Sequence, residues 1–529
     1  MALLLPDLGL ACAVSIDFRP VQGGGKSKKP CGQKFRSVAM KKNSLTMAVV
    51  AGIAGVAGFA SLASAVELNP DGLGQVLIYP YFTVNKGQDT LVSVVNTDDV
   101  NAKIVKVRFL EGYNSREVLD FNLYLSPNDV WTGAVVQLTD EDGGAGIKTF
   151  DNSCTYPLFK AGVPQAFRTY TFDGTIGPKD GAPTSITRTR EGYLEMIQMG
   201  DIPPNTDLFD TVLHDSTGHP ECDTSLIGNS VIANTDVVAP TGTLFGSGAI
   251  VNVGQGTFFG YDADAIDGFF ISPYVTRSGD TLPSLQSYDN FTSYIFNAGA
   301  LLTLDYSAYT TGADAVSALY QSDTLYNEYL TAPGIGAATD WVVTFPTKRF
   351  YVDPFYVGAG PAIAPFVQVF NKVSNVEVIL QQYDQEEQTI IPQDCDPSNP
   401  TPGSDCDWSP SPPVDVEPSS LPYEVNVISY LDPADPNAGV SSGVLGSKLT
   451  FNVPPFASAG WIRLDLASGN SGTHVMRAAA NGTQLRGLPA TGFEVYNVIN
   501  SNVSGGVMAN YSGLFRHRAS RSCAAGPCS

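Results

Sequence analysis

The sequence is short of the residues on which most catalysis and most nucleic-acid binding depend. Its 529 residues include only 4 histidines and 4 tryptophans, and 30 Lys plus Arg stand against 52 Asp plus Glu. The resulting net charge of −22 excludes nucleic acid or an anionic membrane surface as the main partner, because both select basic patches. Charged residues make up only 16% of the chain, too few for a disordered acidic tail protein. There is no G-x-S-x-G elbow, no phosphate loop and no H-E-x-x-H. Hydrolysis by two carboxylates has many acids to draw on, but no pair stands out. Beyond residue 65 no apolar run reaches about 18 residues, so no transmembrane helix is expected.

What is present is apolar and turn-rich: 43% hydrophobic residues, 52 glycines and 36 prolines, enough for two or three packed domains. Residues 40–65 read as a Sec-type signal peptide. Lys41 and Lys42 precede an apolar stretch from Met47 to Leu62, with small residues at Ala63 and Ala65. Cleavage after Ala65 starts the mature chain at Val66. The 39 residues upstream of Met40 then read as a start site placed too early. Residues 1–65 hold eight basic and two acidic side chains, so the remaining 464 carry 22 and 50, a net of −28.

Cysteine use agrees with export to the cell surface, the exterior or the periplasm. Six cysteines come after the signal: Cys154, Cys222, Cys395, Cys406, Cys523 and Cys528. They allow fifteen pairings, and spacing favours 395–406 and 523–528 as local loops, leaving 154–222.

The mature chain is written in strand periods. Val105, Val107 and Phe109 alternate with Lys106 and Arg108; Leu119, Phe121, Leu123 and Leu125 alternate with Asp120, Asn122 and Tyr124. Period two marks strands half buried on a core. The expected class is mainly β, with β-sandwich (immunoglobulin-like) units, long irregular insertions and one helix near 313–330. Residues 66–140 read as an N-terminal sandwich-like unit, and 141–391 as a looser β-rich region. Residues 392–422, with nine prolines, six acids and no Lys or Arg, read as a surface loop or linker. Residues 423–515 return to strands that complete those before the linker, and 516–529 form a tail.

Four phrases carry a resemblance: Gly74–Val84 (GQVLIYPYFTV), Val107–Gly112 (VRFLEG), Thr339–Phe350 (TDWVVTFPTKRF) and Ala509–Phe515 (ANYSGLF). They look like segments of a group of uncharacterised exported β-rich cell-surface proteins of Gram-negative bacteria. The resemblance implies a secreted surface protein and supplies no catalytic motif. In composition the chain is also similar to surface-layer and biofilm-matrix proteins.

Several short motifs have a chemical reading beside a plain one. Leu488-Pro-Ala-Thr-Gly492 spells a sortase signal, yet Glu494, Asn497 and Asn500 interrupt the hydrophobic span that such a signal needs. A turn before a strand at Phe493 fits better. His214, Asp215, His219, Glu221 and Cys222 gather zinc-capable groups in what reads as a solvated loop. Asp262, Asp264 and Asp267 place hard oxygens at near-alternate positions before Gly268, a calcium candidate without EF-hand spacing, or an ordinary acidic loop. Asp394, Asp396, Asp405 and Asp407 form a second such group. Tyr79, Tyr81 and Phe82 read as core, with sugar stacking as the alternative. His474 and His517 stand alone and read as structural.

These observations lead to an exported, non-enzymatic cell-surface or extracellular-matrix structural protein, self-associating with calcium. A secreted carbohydrate-binding or carbohydrate-cleaving sandwich that meets surface glycans is the alternative, and an outer-membrane barrel the third reading.

Overall fold

The computed structural model describes residues 65–139, 143–228, 236–287, 291–309, 311–386, 419–431, 439–469, 472–500, 509–526 and 528. The export segment, apart from Ala65, and Asp394, Cys395, Asp396, Asp405, Cys406 and Asp407 lie outside them. The described chain is mainly β, with short helices, and the strands form four principal sheets.

Sheet I runs Glu67–Leu68, Asp264–Asp267, Val76–Thr83, Glu191–Ile202, Ala102–Glu111, Glu117–Leu125, Thr155–Tyr156. Sheet II runs Thr257–Asp262, Leu244–Asn252, Asp89–Asn96, Val130–Gln137, Ala145–Lys148, Gln165–Ala166. Residues 66–140 therefore supply only part of this sandwich. The strand Glu191–Ile202 sits at the middle of sheet I between Val76–Thr83 and Ala102–Glu111. The strands at 244–267 finish both sheets.

Sheet III runs Ser419–Leu421, Val376–Asp384, Ala459–Asp465, Thr324–Leu330, Arg518–Ser520. Sheet IV runs Thr450–Val453, Val425–Tyr430, Ala337–Thr344, Thr491–Asn500, Ala509–Arg516, antiparallel except between its first two strands. Strands before and after the proline-rich segment thus share both sheets. Of that segment, Ser419–Leu421 is the edge strand of sheet III, and Leu421 is buried. Among the described residues no sheet closes into a barrel, and no helix is long and apolar enough to cross a membrane.

Sheet II behaves as the alternation predicts, with Trp131, Val135, Val92, Val94, Ile250 and Phe259 turned to the core. Sheet I does not. Every residue of Ala102–Glu111 is buried, including Lys106 and Arg108. Their side chains are covered rather than solvated. Lys106 Nζ pairs with Asp120 at 2.5 Å and donates to the Arg277 carbonyl, while Arg108 pairs with Glu117 at 2.7 Å and Glu195 at 2.9 Å.

The helix is Ala313–Tyr320, every residue buried. It stops there because Gln321–Ser322 pairs with Leu488–Pro489, and Thr324–Leu330 is a strand that buries Leu325 and Tyr329. Tyr326 and Leu330 fit a helical period in the sequence but do not belong to the helix.

Several contacts hold the pieces together, two of them at sheet edges. The chain passes from sheet IV to sheet III at His517, whose Nε2 lies 3.0 Å from the Val342 carbonyl, and burial lowers its pKa to about 4. Between sheets II and IV, the Ser512 hydroxyl accepts from the Phe258 amide (3.2 Å) and donates to the Phe258 carbonyl (3.0 Å). Cys154–Cys222 is a disulfide with Cα atoms 5.3 Å apart, and Cys523–Cys528 is a second.

Candidate functional site

The outer face of sheet II is open and carries little charge. Pairing registers place its outward residues in rows across the strands. One row is Gly260, Ala249, Leu91, Ala134 and Lys148. The next is Asp262, Ser247, Ser93 and Thr132, a line of short polar side chains. Phe258, Val251 and Asp89 flank one side, and Phe245, Val95 and Val130 the other. Most central positions are small, and a trough of about 630 Å³ lies over them, with Leu91 rising between Ala249 and Ala134 and with Phe150 and Phe258 at its two ends. Phe150, Phe258 and Leu91 are 76%, 59% and 44% exposed and line one trough, a patch rather than isolated apolar side chains.

The geometry of the trough is set by the strands beneath it. Gly260 leaves room for the Phe258 ring, since a Cβ there would meet Phe258 Cε1 at 3.0 Å. Floor hydroxyls are held to neighbours: Ser93 Oγ donates to the Ser247 carbonyl at 3.4 Å, and Ser247 Oγ donates to Asp262 Oδ1 at 3.3 Å. The Thr132 hydroxyl has no partner among the described residues. Lys148 Nζ sits 5.2 Å from the centre of the Phe150 ring.

The carboxylates singled out in the sequence part company. Asp262 is exposed at the end of the trough. Asp264 is buried, accepts from Thr491 Oγ1 at 2.6 Å and is ion-paired with Arg516, which ties sheet I to sheet IV. Asp267 is half-buried beside Glu67; burial raises its pKa. Among the described residues no three His, Cys, Asp or Glu side chains assemble as a metal site.

The histidine loop is likewise divided. His214 Nδ1 lies 2.6 Å from Ser126 Oγ, with Asn152 Oδ1 3.3 Å from Nε2, while His219 Nδ1 is 3.0 Å from Asn152 Nδ2. Asp215 accepts from Thr217 and His219 within its own turn, and Cys222 is spent in the disulfide. Leu488 and Pro489 form a buried strand, so the LPATG sequence is part of the fold's interior. Tyr79, Tyr81 and Phe82 are core; Tyr79 donates to the Ser93 carbonyl and Tyr81 to Glu191. His474 is buried and His517 half-buried, each with a ring nitrogen against a carbonyl.

The densest charge lies inside. Arg188 joins Glu111 (2.7 Å) to Asp180 (2.5 Å), all three fully buried, and stacks 4.3 Å over Phe172. Burial pushes Asp180 up, but Arg188 outweighs it and holds the carboxyl below its usual range. Arg116 pairs with Asp353 at 3.0 Å, and Arg349 donates to the Ser115 carbonyl at 2.7 Å, joining the first sandwich to segment 349–357. Glu191 accepts from Ser447 Oγ and the Lys448 amide across the same junction. Lys348, its pKa lowered to about 7 by burial, donates to the carbonyls of Ser374 and Tyr423. This interior fixes how the pieces dock, although Nε of Arg116 and of Arg349 and both Glu424 carboxylate oxygens have no hydrogen-bond partner among the described residues.

Sequence reasoning missed the trough because none of its residues forms a motif. The signal that was present is compositional. In Leu244–Asn252 and Thr257–Asp262 the outward positions are Phe, Ser, Ala, Val, Phe, Gly and Asp, where a solvated face would carry Lys, Glu or Thr. Comparison with family models, curated proteins and solved structures finds no match.

Proposed function

We propose that this chain is an exported, non-enzymatic structural protein of the cell surface or extracellular matrix, held there through the outer face of sheet II. The observation that carries the reading is the open trough of small and apolar residues on the outer face of sheet II, with Lys148 and Asp262 only at its ends. A solvated sheet face is normally polar; five adjacent strands presenting small and apolar residues favour contact with a partner. Export is supported by the signal-like segment and by cysteine pairs at disulfide distance, which persist in oxidising compartments. Self-association through calcium draws no support from Asp262, Asp264 and Asp267, which point to three different surroundings.

The test places a charge in the trough floor. Ala134→Glu and Ala249→Glu face outward and leave the core untouched, so both variants keep the wild-type melting temperature. Wild-type protein is expected on intact cells, where added protease removes it, and both variants are expected in the culture medium. Retention in the cytoplasm, or variants held at the surface as firmly as wild type, refutes the proposal.

A further inference from the structure

Resting on the surface role above, we propose that the trough of sheet II binds an extended, neutral polysaccharide lying across the strands. Shape comes first. Two copies stacked face to face would leave both concavities unfilled and lose the dispersion contacts that make such an interface stable. A convex rod fills the trough. Backbone chemistry comes next: the inner floor strands are paired on both sides, and at the edge strand Thr257–Asp262 the Ser512 hydroxyl already occupies the amide and carbonyl of Phe258, which opposes extension by a peptide strand.

What the floor offers instead is side-chain chemistry matched to a sugar. Thr132, Ser93, Ser247 and Asp262 form a line crossing four strands, roughly 14 Å at the usual strand spacing. The Thr132 hydroxyl can donate and accept, while Ser93 Oγ, Ser247 Oγ and the Asp262 carboxylate offer acceptors to the hydroxyls at the edge of a pyranose ring. Phe258 at one border and Phe150 at the other expose the flat apolar faces on which the C–H face of a pyranose stacks. Lys148 is set against both Asp262 and Asp89, so the face carries a slight negative balance. With the chain's net charge of −22, this leaves no attraction for a polyanion and favours a neutral glycan.

The experiment titrates the full mature chain, by calorimetry, with cellohexaose, chitohexaose, maltohexaose and matrix polysaccharide purified from the producing cells. At least one probe is expected to bind, with its disaccharide at least about tenfold weaker, because binding is spread along the trough. Phe150→Ala and Phe258→Ala are each expected to weaken binding about three- to tenfold with unchanged melting temperature. Absence of binding by all four probes overturns the proposal, as does binding that the double Phe variant retains. Sedimentation of a dimer that those same variants dissociate assigns the face to a second copy and also overturns it. Protein found at the cell surface without glycan binding leaves the surface role standing while removing this one.

Discussion

Glu494 gives the sharpest quantitative test of the interior. It lies in the strand Thr491–Asn500 opposite Trp341, is 2% exposed, and its Oε2 has no hydrogen-bond partner among the described residues. Burial, reinforced by the charge of Glu328, raises its pKa from 4.5 to about 8. Between these values the folded state holds a proton that the unfolded chain has released. The group therefore weighs nothing against folding below pH 4.5, and its penalty grows as pH rises to about 8. Integrating that difference, the penalty is about 1 kcal/mol at pH 5, about 3 at pH 7 and about 5 at pH 9. Glu494→Gln keeps the volume and removes the titration. Any cost of burying the amide is the same at every pH, so the diagnostic is the change: the variant gains about 4 kcal/mol on wild type between pH 5 and pH 9. Urea unfolding followed by tryptophan fluorescence at pH 5, 7 and 9 measures it. A difference between the two proteins that stays constant within about 0.5 kcal/mol across that range would refute the reasoning, whatever the absolute stabilities.

Other parts of the structure predict equally definite outcomes. Arg188→Met leaves Glu111 and Asp180 buried without their cation and is expected to cost about 3–5 kcal/mol in urea unfolding, whereas a triple variant that also makes both acids amides should recover most of it. Replacing both Cys154 and Cys222 with serine opens a 68-residue separation; loop entropy puts the loss near 4 kcal/mol, and an unchanged urea midpoint would argue against that account. Asp264→Asn weakens the contact with Arg516 but also removes a carboxylate whose pKa burial raises, so stability is expected to change by less than about 1 kcal/mol, equally in calcium and in chelator. Calcium that raises the melting temperature of wild type but not of this variant would instead restore the cation reading of Asp264.

How far the fold is legible in the sequence depends on which neighbour decides each element. Val105, Val107 and Phe109 announce their strand, and their inward face is where the alternation puts it. The same alternation assigns Lys106 and Arg108 to water, and that fails because the cover over them comes from residues 276–279 and 349–357, far along the chain. The helix at Ala313 is visible from Val316, Leu319 and Tyr320. Its end is not, because Leu488–Pro489, more than 160 residues later, pairs with Gln321–Ser322 and fixes the switch to strand. The pairing of Cys154 with Cys222 comes from elimination among spacings. The trough does not emerge from anything local, since Ser93, Thr132, Ser247 and Phe258 become neighbours only through the order of strands in sheet II.

That order also explains why the trough can serve as a prepared surface. Thr257–Asp262 is the edge strand of sheet II, and an exposed edge would be free to twist or to pair with another chain. Ser512 prevents both by taking the amide and the carbonyl of Phe258, in effect supplying the next strand's hydrogen bonds from one hydroxyl. The residue so fixed is the one whose ring borders the trough. Its position is set from sheet IV, and sheet IV is in turn tied to sheet I through Arg516 and Asp264. A rigid platform loses little entropy when a ligand stacks on it, which is the condition under which a single exposed ring contributes measurably to binding. The internal charge network and the outer face are thus parts of one arrangement: ion pairs hold the sandwiches in register so that a largely apolar face can be presented without collapsing onto itself.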